Sequence, residues 1–187
     1  NQGGLVYSTG VINGENDGVE NVDLNSNKDV FVKVSYKIGG MGVLGSTAAK
    51  STVEPWRDNS FTLGTFGHLG RTADATQIRN IGGNADVFFN DLNLFGLAMV
   101  EQSKAQGEHS YVNTTRLFTE ADYVIYPWLI PLVRVQYTKP DNESAVTEIV
   151  PAVVVLVRAN VKVVPTALID TKNSDNNRFT IQFHIGI

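Results

Sequence analysis

The feature that most constrains this chain is an alternation of side-chain character with a period of two residues. Between positions 30 and 38, Val30, Val32, Val34, Tyr36 and Ile38 alternate with Phe31, Lys33, Ser35 and Lys37. Successive side chains of an extended backbone point to opposite faces, so this pattern belongs to a strand whose two faces meet different surroundings. Residues 179–187 repeat it, with Phe179, Ile181, Phe183, Ile185 and Ile187 on one face and Thr180, Gln182, His184 and Gly186 on the other. Residues 129–137, 149–157 and 161–169 carry the same theme. The pattern predicts about ten strands, at 3–14, 29–40, 60–72, 77–90, 92–104, 109–126, 128–139, 146–159, 161–172 and 178–187. Most are long against the roughly five or six residues usual in soluble sheets, and they match the about 9–11 residues that a tilted strand needs to cross a bilayer. Residues 47–56 include Ala48 and Ala49 but lack a sustained apolar stripe, so no helix is expected. Neither a second domain nor a linker is visible.

Composition then closes off several classes. The chain has 187 residues, no cysteine, and 15 basic against 19 acidic residues, a net charge of -4. A disulfide framework, a thiolate zinc site and a CxxCH haem attachment are excluded within these residues. The mild acidity offers no electrostatic footprint for nucleic acid. The apolar runs from Tyr123 to Val133 and from Ile149 to Val157 end at Arg134 and Arg158, short of a spanning helix. A mean hydropathy of -0.07 suits a soluble protein, and it equally suits strands that alternate an apolar face with a charged one.

Charge follows the alternation. The apolar faces of 30–38, 61–69, 81–89, 117–125, 129–137, 149–157, 161–169 and 179–187 hold no Asp, Glu, Lys or Arg. Opposite them stand Lys33, Lys37, Asp86, Arg116, Glu120, Asp122, Arg134, Glu148, Arg158, Lys162, Asp170 and Arg178. Lys or Arg at the lipid-facing midplane of a membrane strand costs about 2–4 kcal/mol, so such segregation is expected of a transmembrane barrel with a charged lumen. A soluble sandwich excludes charge from its core face as well; ten long strands without a helix are less usual there.

The connections differ in kind. If the strands run antiparallel, the tight turns at Asn90-Asp91, Pro127 and Ala159-Asn160 share one end of the sheet. The polar loops at 13–28, 71–76, 104–109, 139–145 and 171–177 share the other. Short turns at one end and longer polar loops at the other are the asymmetry of an outer-membrane barrel. The segment 41–59 breaks the rule, being long on the tight-turn end. Tyr123, Tyr126 and Trp128 cluster beside Pro127, where aromatics with one polar end suit a membrane–water boundary. Phe88 and Phe89 flank Asn90-Asp91. Pro131, Pro151 and Pro165 fall inside predicted strands, where a missing N–H calls for an edge or a bulge, so bulges are expected there.

The passages NSNKDVFVKVSYKIGGMG, EPWRDNSFTLGTFGHLGR, NDLNLFGLAMVEQ, EADYVIYPWLIPLVRVQYT, VPAVVVLVRANVKV and RFTIQFHIGI resemble the C-terminal strands of bacterial outer-membrane porin-like barrels. The resemblance implies an all-β, antiparallel transmembrane β-barrel in the bacterial outer membrane, with passive diffusion of small solutes or ions and no enzymatic reaction or cofactor. It implies the twelve charged residues above as lumen lining, outer-membrane lipid as surroundings, and homo-oligomers or a periplasmic or multihaem cytochrome as partners, the last if the barrel is a sleeve. Two departures accompany it. The chain ends on Ile187, where such barrels carry an aromatic residue, and it opens on NQGGLVYSTG without a leader. The expectation is that 1–187 is a single barrel segment, the C-terminal portion of a longer chain.

Other motifs carry less. No nucleophile elbow, P-loop or HExxH occurs. His68, His109 and His184 lie on different predicted elements, which favours polar lumen or loop positions over a metal trio. Gly39-Gly40-Met41-Gly42 precedes no helix and reads as a turn. Asp23, Asn25, Asn27 and Asp29 alternate as in a calcium loop, but Lys28 stands where that motif needs glycine. Asn113-Thr114-Thr115 and Asn142-Glu143-Ser144 match a glycosylation sequon by chance. Glu120 and Asp122 share a face with Arg116, and Arg134 and Arg158 on the following strands are expected partners. Acid–base catalysis is one use of paired carboxylates; inward charges that pair and hydrate a lumen are the use expected here. The competing class is a soluble or surface-exposed all-β binding or adhesion module.

Overall fold

The computed structural model describes residues 3–13, 28–40, 59–72, 75–158 and 160–186. They form one ten-stranded antiparallel sheet in which each strand pairs with its neighbours in sequence. The strands are β1 (Gly4–Asn13), β2 (Lys28–Gly39), β3 (Ser60–Arg71), β4 (Gln77–Phe89), β5 (Leu92–Lys104), β6 (Val112–Tyr123), β7 (Leu129–Pro140), β8 (Val146–Arg158), β9 (Val161–Asp170) and β10 (Arg178–Ile185). The expected all-β, antiparallel class and the ten strands are present, with boundaries within about three residues of expectation. β1 and β10 end the strand order and do not pair with each other, so the sheet is open. The segment 41–58, most of the connection expected to break the turn rule, and the calcium-like spacing at 23–27 lie outside the described residues.

Side chains directly opposite each other in an antiparallel pair share a face. The register therefore carries the parity of each strand across the sheet. Val34 faces Tyr7 and Thr65, Thr65 faces Gly83, Gly83 faces Ala98, Ala98 faces Leu117, and Leu117 faces Tyr137. Every strand thus contributes its apolar set to the same face, and nothing among the described residues packs over it. Leu63, Ile81 and Phe183 stay 57%, 67% and 72% exposed. Fully buried apolar side chains are scarce; Val150 and Ala152 are the buried hydrophobic ones among the described residues.

The turns divide as the alternation requires. Asn90 takes φ 51, a left-handed conformation that asparagine tolerates, and reverses the chain within Asn90-Asp91. Its N–H donates to Asn59 Oδ1 at 2.6 Å, tying the two turn-end connections together. At the next turn, Leu129 N–H donates to the Tyr126 carbonyl at 2.9 Å. The loops at 105–111, 141–145 and 171–177 lie at the opposite end, and the last contains a single 3₁₀ turn, Ser174–Asn176.

The prolines do not sit at bulges. The register is continuous through Pro131↔Val153 and Val133↔Pro151 and through Ile181↔Pro165. The one irregularity lies between Leu156 and Arg158. Each proline is instead placed so that its missing donor faces a side where pairing lapses. β6 stops pairing with β7 at Asp122↔Leu132, one step before Pro131. Neither Pro151 nor Pro165 takes part in the β8–β9 pairing, which survives at Glu148, Ile149, Ala152, Val155, Leu156 and Arg158. The two missing N–H groups are thereby concentrated in one seam, where an unpaired proline nitrogen leaves no donor unsatisfied.

Among the described glycines, Gly82 on β4 comes closest to neighbouring backbone. A Cβ added there would lie 2.6 Å from the Ala98 carbonyl oxygen and 2.7 Å from Met99 Cβ. At Gly96, on the other face of β5, a Cβ meets nothing within 4 Å. Gly82→Ala is expected to destabilise the sheet by about 1–3 kcal/mol through overpacking against backbone. Gly96→Ala is expected to be neutral or to stabilise by up to about 1 kcal/mol, through lower entropy of the unfolded chain. Equilibrium urea unfolding of the two variants checks the contrast; equal midpoints would contradict the packing.

Candidate functional site

The face opposite the apolar one gathers the charge. The register puts Lys33, Lys37, Asp86, Arg116, Glu120, Asp122, Arg134, Glu148, Lys162, Asp170 and Arg178 on it. Along one cross-strand row Lys37, Thr62, Asp86, Phe95, Glu120, Arg134 and Val150 stand side by side. Arg158 departs from the set: the irregularity beyond Leu156 brings it opposite Val161, whose side chain belongs with the apolar residues.

The centre of this face is a mixed-charge array. Arg134 Nη2 lies 2.7 Å from Glu120 Oε2, and its Nε–H donates to the same oxygen at 2.7 Å. Its guanidinium also covers the Phe118 ring at 5.0 Å. Phe118 meets Phe95 edge to face at 5.7 Å, so the ion pair rests on an aromatic floor that shields it from water. Asn93 Nδ2 donates to Asp86 Oδ1 at 2.7 Å. Glu120, Asp122 and Asp86 thus lie near one another with Arg134 and Asn93 as polar neighbours. Asp122 Oδ1 is buried and accepts no hydrogen bond. Arg116 pairs with Glu101 at 3.3 Å rather than with Glu120. Among the described residues Arg158, expected as a partner for these carboxylates, forms no ion pair with either.

A second polar group lies toward the loop end. Asp29, 8% exposed, accepts from His68 Nε2 at 3.1 Å and from the Arg71 N–H at 3.2 Å. Asn80 Nδ2 approaches His68 Nδ1 at 3.4 Å. A histidine that donates from Nε2 to Asp29 and accepts at Nδ1 from Asn80 links the three side chains in one chain, with Asn80 Oδ1 left buried and without a hydrogen bond. Gly70 makes room for the carboxylate, which would lie 2.6 Å from an added Cβ. His184 contacts Gln182 at 3.3 Å on β10, and His109 sits in the loop 105–111. Among the described residues no three His, Cys, Asp or Glu side chains are grouped to hold a metal.

Asp170 has a local task. It is 7% exposed and accepts from the Lys172 and Asn173 N–H groups at 2.8 and 3.1 Å and from Asn176 Nδ2 at 2.7 Å. Its carboxylate organises the loop 171–177.

The aromatics at the tight-turn end are half exposed. The Tyr126 and Trp128 rings stack at 5.5 Å with planes 5° apart. Tyr123 stands opposite Leu92, on the apolar face.

Sequence reasoning missed the rim of the apolar face at the loop end. Arg79 stands opposite Leu69 and Gln102, Lys104 opposite Gln77, and Lys139 opposite Thr115. The signal was present: the parity of Ile81 extended two residues reaches Arg79, and that of Tyr137 reaches Lys139. Tyr111 joins this rim, with the Arg79 guanidinium 4.6 Å and the Lys104 ammonium 5.4 Å from its ring centre. Its hydroxyl donates to Gln77 Oε1 at 2.9 Å.

No family model, curated protein or solved structure matches the chain.

The two ion pairs of the array differ in strength. The Arg134 and Glu120 side chains are 36% and 19% exposed and share a two-donor contact, whereas Arg116 and Glu101 are 43% and 27% exposed at a longer distance. A double-mutant cycle with Arg134→Gln and Glu120→Gln is expected to give a coupling of about 1–2 kcal/mol. The cycle with Arg116→Gln and Glu101→Gln is expected to give about 0.2–1 kcal/mol. Reversal of that order in urea unfolding would contradict the geometry.

Proposed function

We propose that this sheet is the wall of an outer-membrane β-barrel, with the apolar face toward lipid and the mixed-charge face toward a water-filled lumen through which small solutes or ions diffuse. The observation that carries the reading is the uncovered apolar face, continuous over ten strands and polar at its loop-end rim. In water a face of this extent would be expected to recruit a covering layer. In a bilayer the acyl chains cover it.

The dimensions agree. From Val30 to Ile38 the apolar set runs roughly 27 Å along the strand, or about 20 Å along the axis of a barrel whose strands tilt by about 40°. An outward apolar band of about 25 Å is usual for such barrels. Stacked Tyr126 and Trp128 suit one boundary of the band, and Tyr111 with its cations suits the other. Asymmetric connections, tight at one end and polar at the other, support the same orientation.

Lipid offers no hydrogen bonds, so the outer edges of β1 and β10 require partners within the membrane. They pair with each other on closure, or with further strands. Ten strands alone enclose a lumen narrow enough for side chains such as Phe66, Phe95 and Phe118 to crowd; an aqueous channel takes more strands. A narrow closure would favour a sleeve or a plugged barrel over a free pore, and a multihaem protein is one class of occupant for a sleeve.

Two measurements test the reading. Purified chain is expected to need detergent for extraction and to migrate faster on a gel before boiling than after it. Detergent-free solubility with a single gel position would overturn the membrane assignment in favour of a binding or adhesion module. In planar bilayers, replacing Arg116 and Arg134 by Gln is expected to shift the reversal potential toward cation selectivity, because Asp86, Glu120 and Asp122 then dominate the wall. Leu117→Arg, on the apolar face near mid-strand, is expected to cost about 2–4 kcal/mol of insertion free energy, and Gln136→Arg on the charged face much less. Equal folding yields in lipid vesicles would contradict the assignment of the two faces.

A further inference from the structure

The apolar face is not smooth. Gly67 leaves a gap between Val32 and Ile81, and the gap opens into a groove of about 350 Å³ lined by Val30, Val32, Leu69, Ile81 and Arg79. Adjoining it at the loop end is a recess of about 310 Å³ that shares Val30, Leu69 and Arg79 with the groove and adds Lys28, Arg71 and Gln77. Among the described residues, Lys28, Arg71 and Arg79 are the charged side chains that line this recess. Arg79 therefore stands where an apolar slot runs into a cationic pocket. Among the described residues no carboxylate pairs with Arg79 or with Lys104 next to it; both are held by the ring of Tyr111 instead. Glu108 lies in the neighbouring loop, in a recess with Arg71 and Lys104.

This pairing of shapes and charges selects its ligand. An apolar slot beneath a cationic pocket complements an amphiphile whose anionic head group lies next to its alkyl chain. A guanidinium fork suits a phosphate, which it can bind through two N–H groups. The aromatic ring of Tyr111 fixes the two nearest cations without neutralising them. We propose that the groove at Gly67 holds an acyl chain of an anionic, phosphate-headed lipid of the surrounding membrane, with Arg79 and Lys104 taking the phosphate. The site rests on the membrane reading above and adds to it a preferred lipid, fixed at one place on the outer surface of β2, β3 and β4 in the leaflet on the loop side.

Two substitutions separate slot from charge. A Cβ at Gly67 would meet Val32 Cγ1 at 3.6 Å and the Asn80 carbonyl oxygen at 3.9 Å, both ordinary contacts, so Gly67→Leu is chosen to extend a side chain into the groove. Arg79→Gln keeps the stem and removes the charge. The full chain, purified in a neutral detergent, is given equal amounts of phosphatidylglycerol and phosphatidylcholine, and retained lipid is counted by native mass spectrometry. The wild type is expected to retain phosphatidylglycerol about tenfold over phosphatidylcholine, a difference typical of one charge-assisted contact pair. Arg79→Gln and Gly67→Leu are each expected to bring the ratio to near parity, while Arg178→Gln on the opposite face leaves it unchanged.

Equal retention of both lipids by the wild type would overturn the proposal. So would full enrichment in Gly67→Leu, which would reduce the site to bare charge. Release of phosphatidylglycerol by inorganic phosphate at millimolar concentration would mark a free-phosphate site instead. A change in subunit number with Gly67→Leu at constant lipid would assign the groove to a second copy of the chain. Failure of the site with heat-modifiable migration intact leaves the membrane reading standing; a chain soluble without detergent removes both.

Discussion

Everything in this molecule depends on the register of its backbone ladders. A sheet of alternating strands has two distinct faces only if every neighbour is paired in phase, because a slip of one residue exchanges the faces of a strand. Nine successive pairings preserve that phase here, from Leu5 opposite Tyr36 to Ile185 opposite Val161. One misplaced pairing would set Lys33 or Arg134 among valines. On the membrane reading proposed above, the cost of burying such a charge against lipid itself selects the register, so pattern and ladder enforce each other.

Once the faces are separated, each can be built by different rules. The charged face is dense with contacts: Arg134 on Phe118, Phe118 on Phe95, Asn93 on Asp86, Asp29 on His68. Away from its loop-end rim the apolar face has relief instead, supplied by small residues at Gly67, Gly83 and Gly96. A surface that holds charges in place needs mutual support, and on the membrane reading proposed above the face turned to fluid lipid tolerates relief. The protein shows both in one layer.

Much of the fold was legible in the sequence because period-two patterning is a direct image of strand geometry. Val30 to Ile38 and Phe179 to Ile185 could be assigned to one face without knowing any partner. What could not be read was whatever depends on which strand lies alongside. The alternation places Arg116 on the same face as Glu120 and Glu101 alike, and only the register pairs it with Glu101. Arg158 was assigned to the charged face by counting residues, and the irregularity after Leu156 breaks that count. Asp170 looked like a wall charge, yet its carboxylate serves the backbone of its own loop. The Asp29–His68–Asn80 chain joins three strands and leaves no trace in local sequence. The cations at the loop-end rim escaped because attention to uncharged windows stops one step before them.

The prolines of β8 and β9 have a mechanical meaning. Pro151 and Pro165 remove donors from a single line of the sheet, and cross-strand bonds are what resist a change of angle between neighbouring strands. A wall made of uniform ladders bends evenly; one with a thinned line folds there first, like paper along a crease. The β9–β10 hairpin is thereby a leaf attached to an eight-strand panel. Fewer ladder partners therefore fix the tilt of that hairpin than fix the spacing of the charge array of β4 to β7.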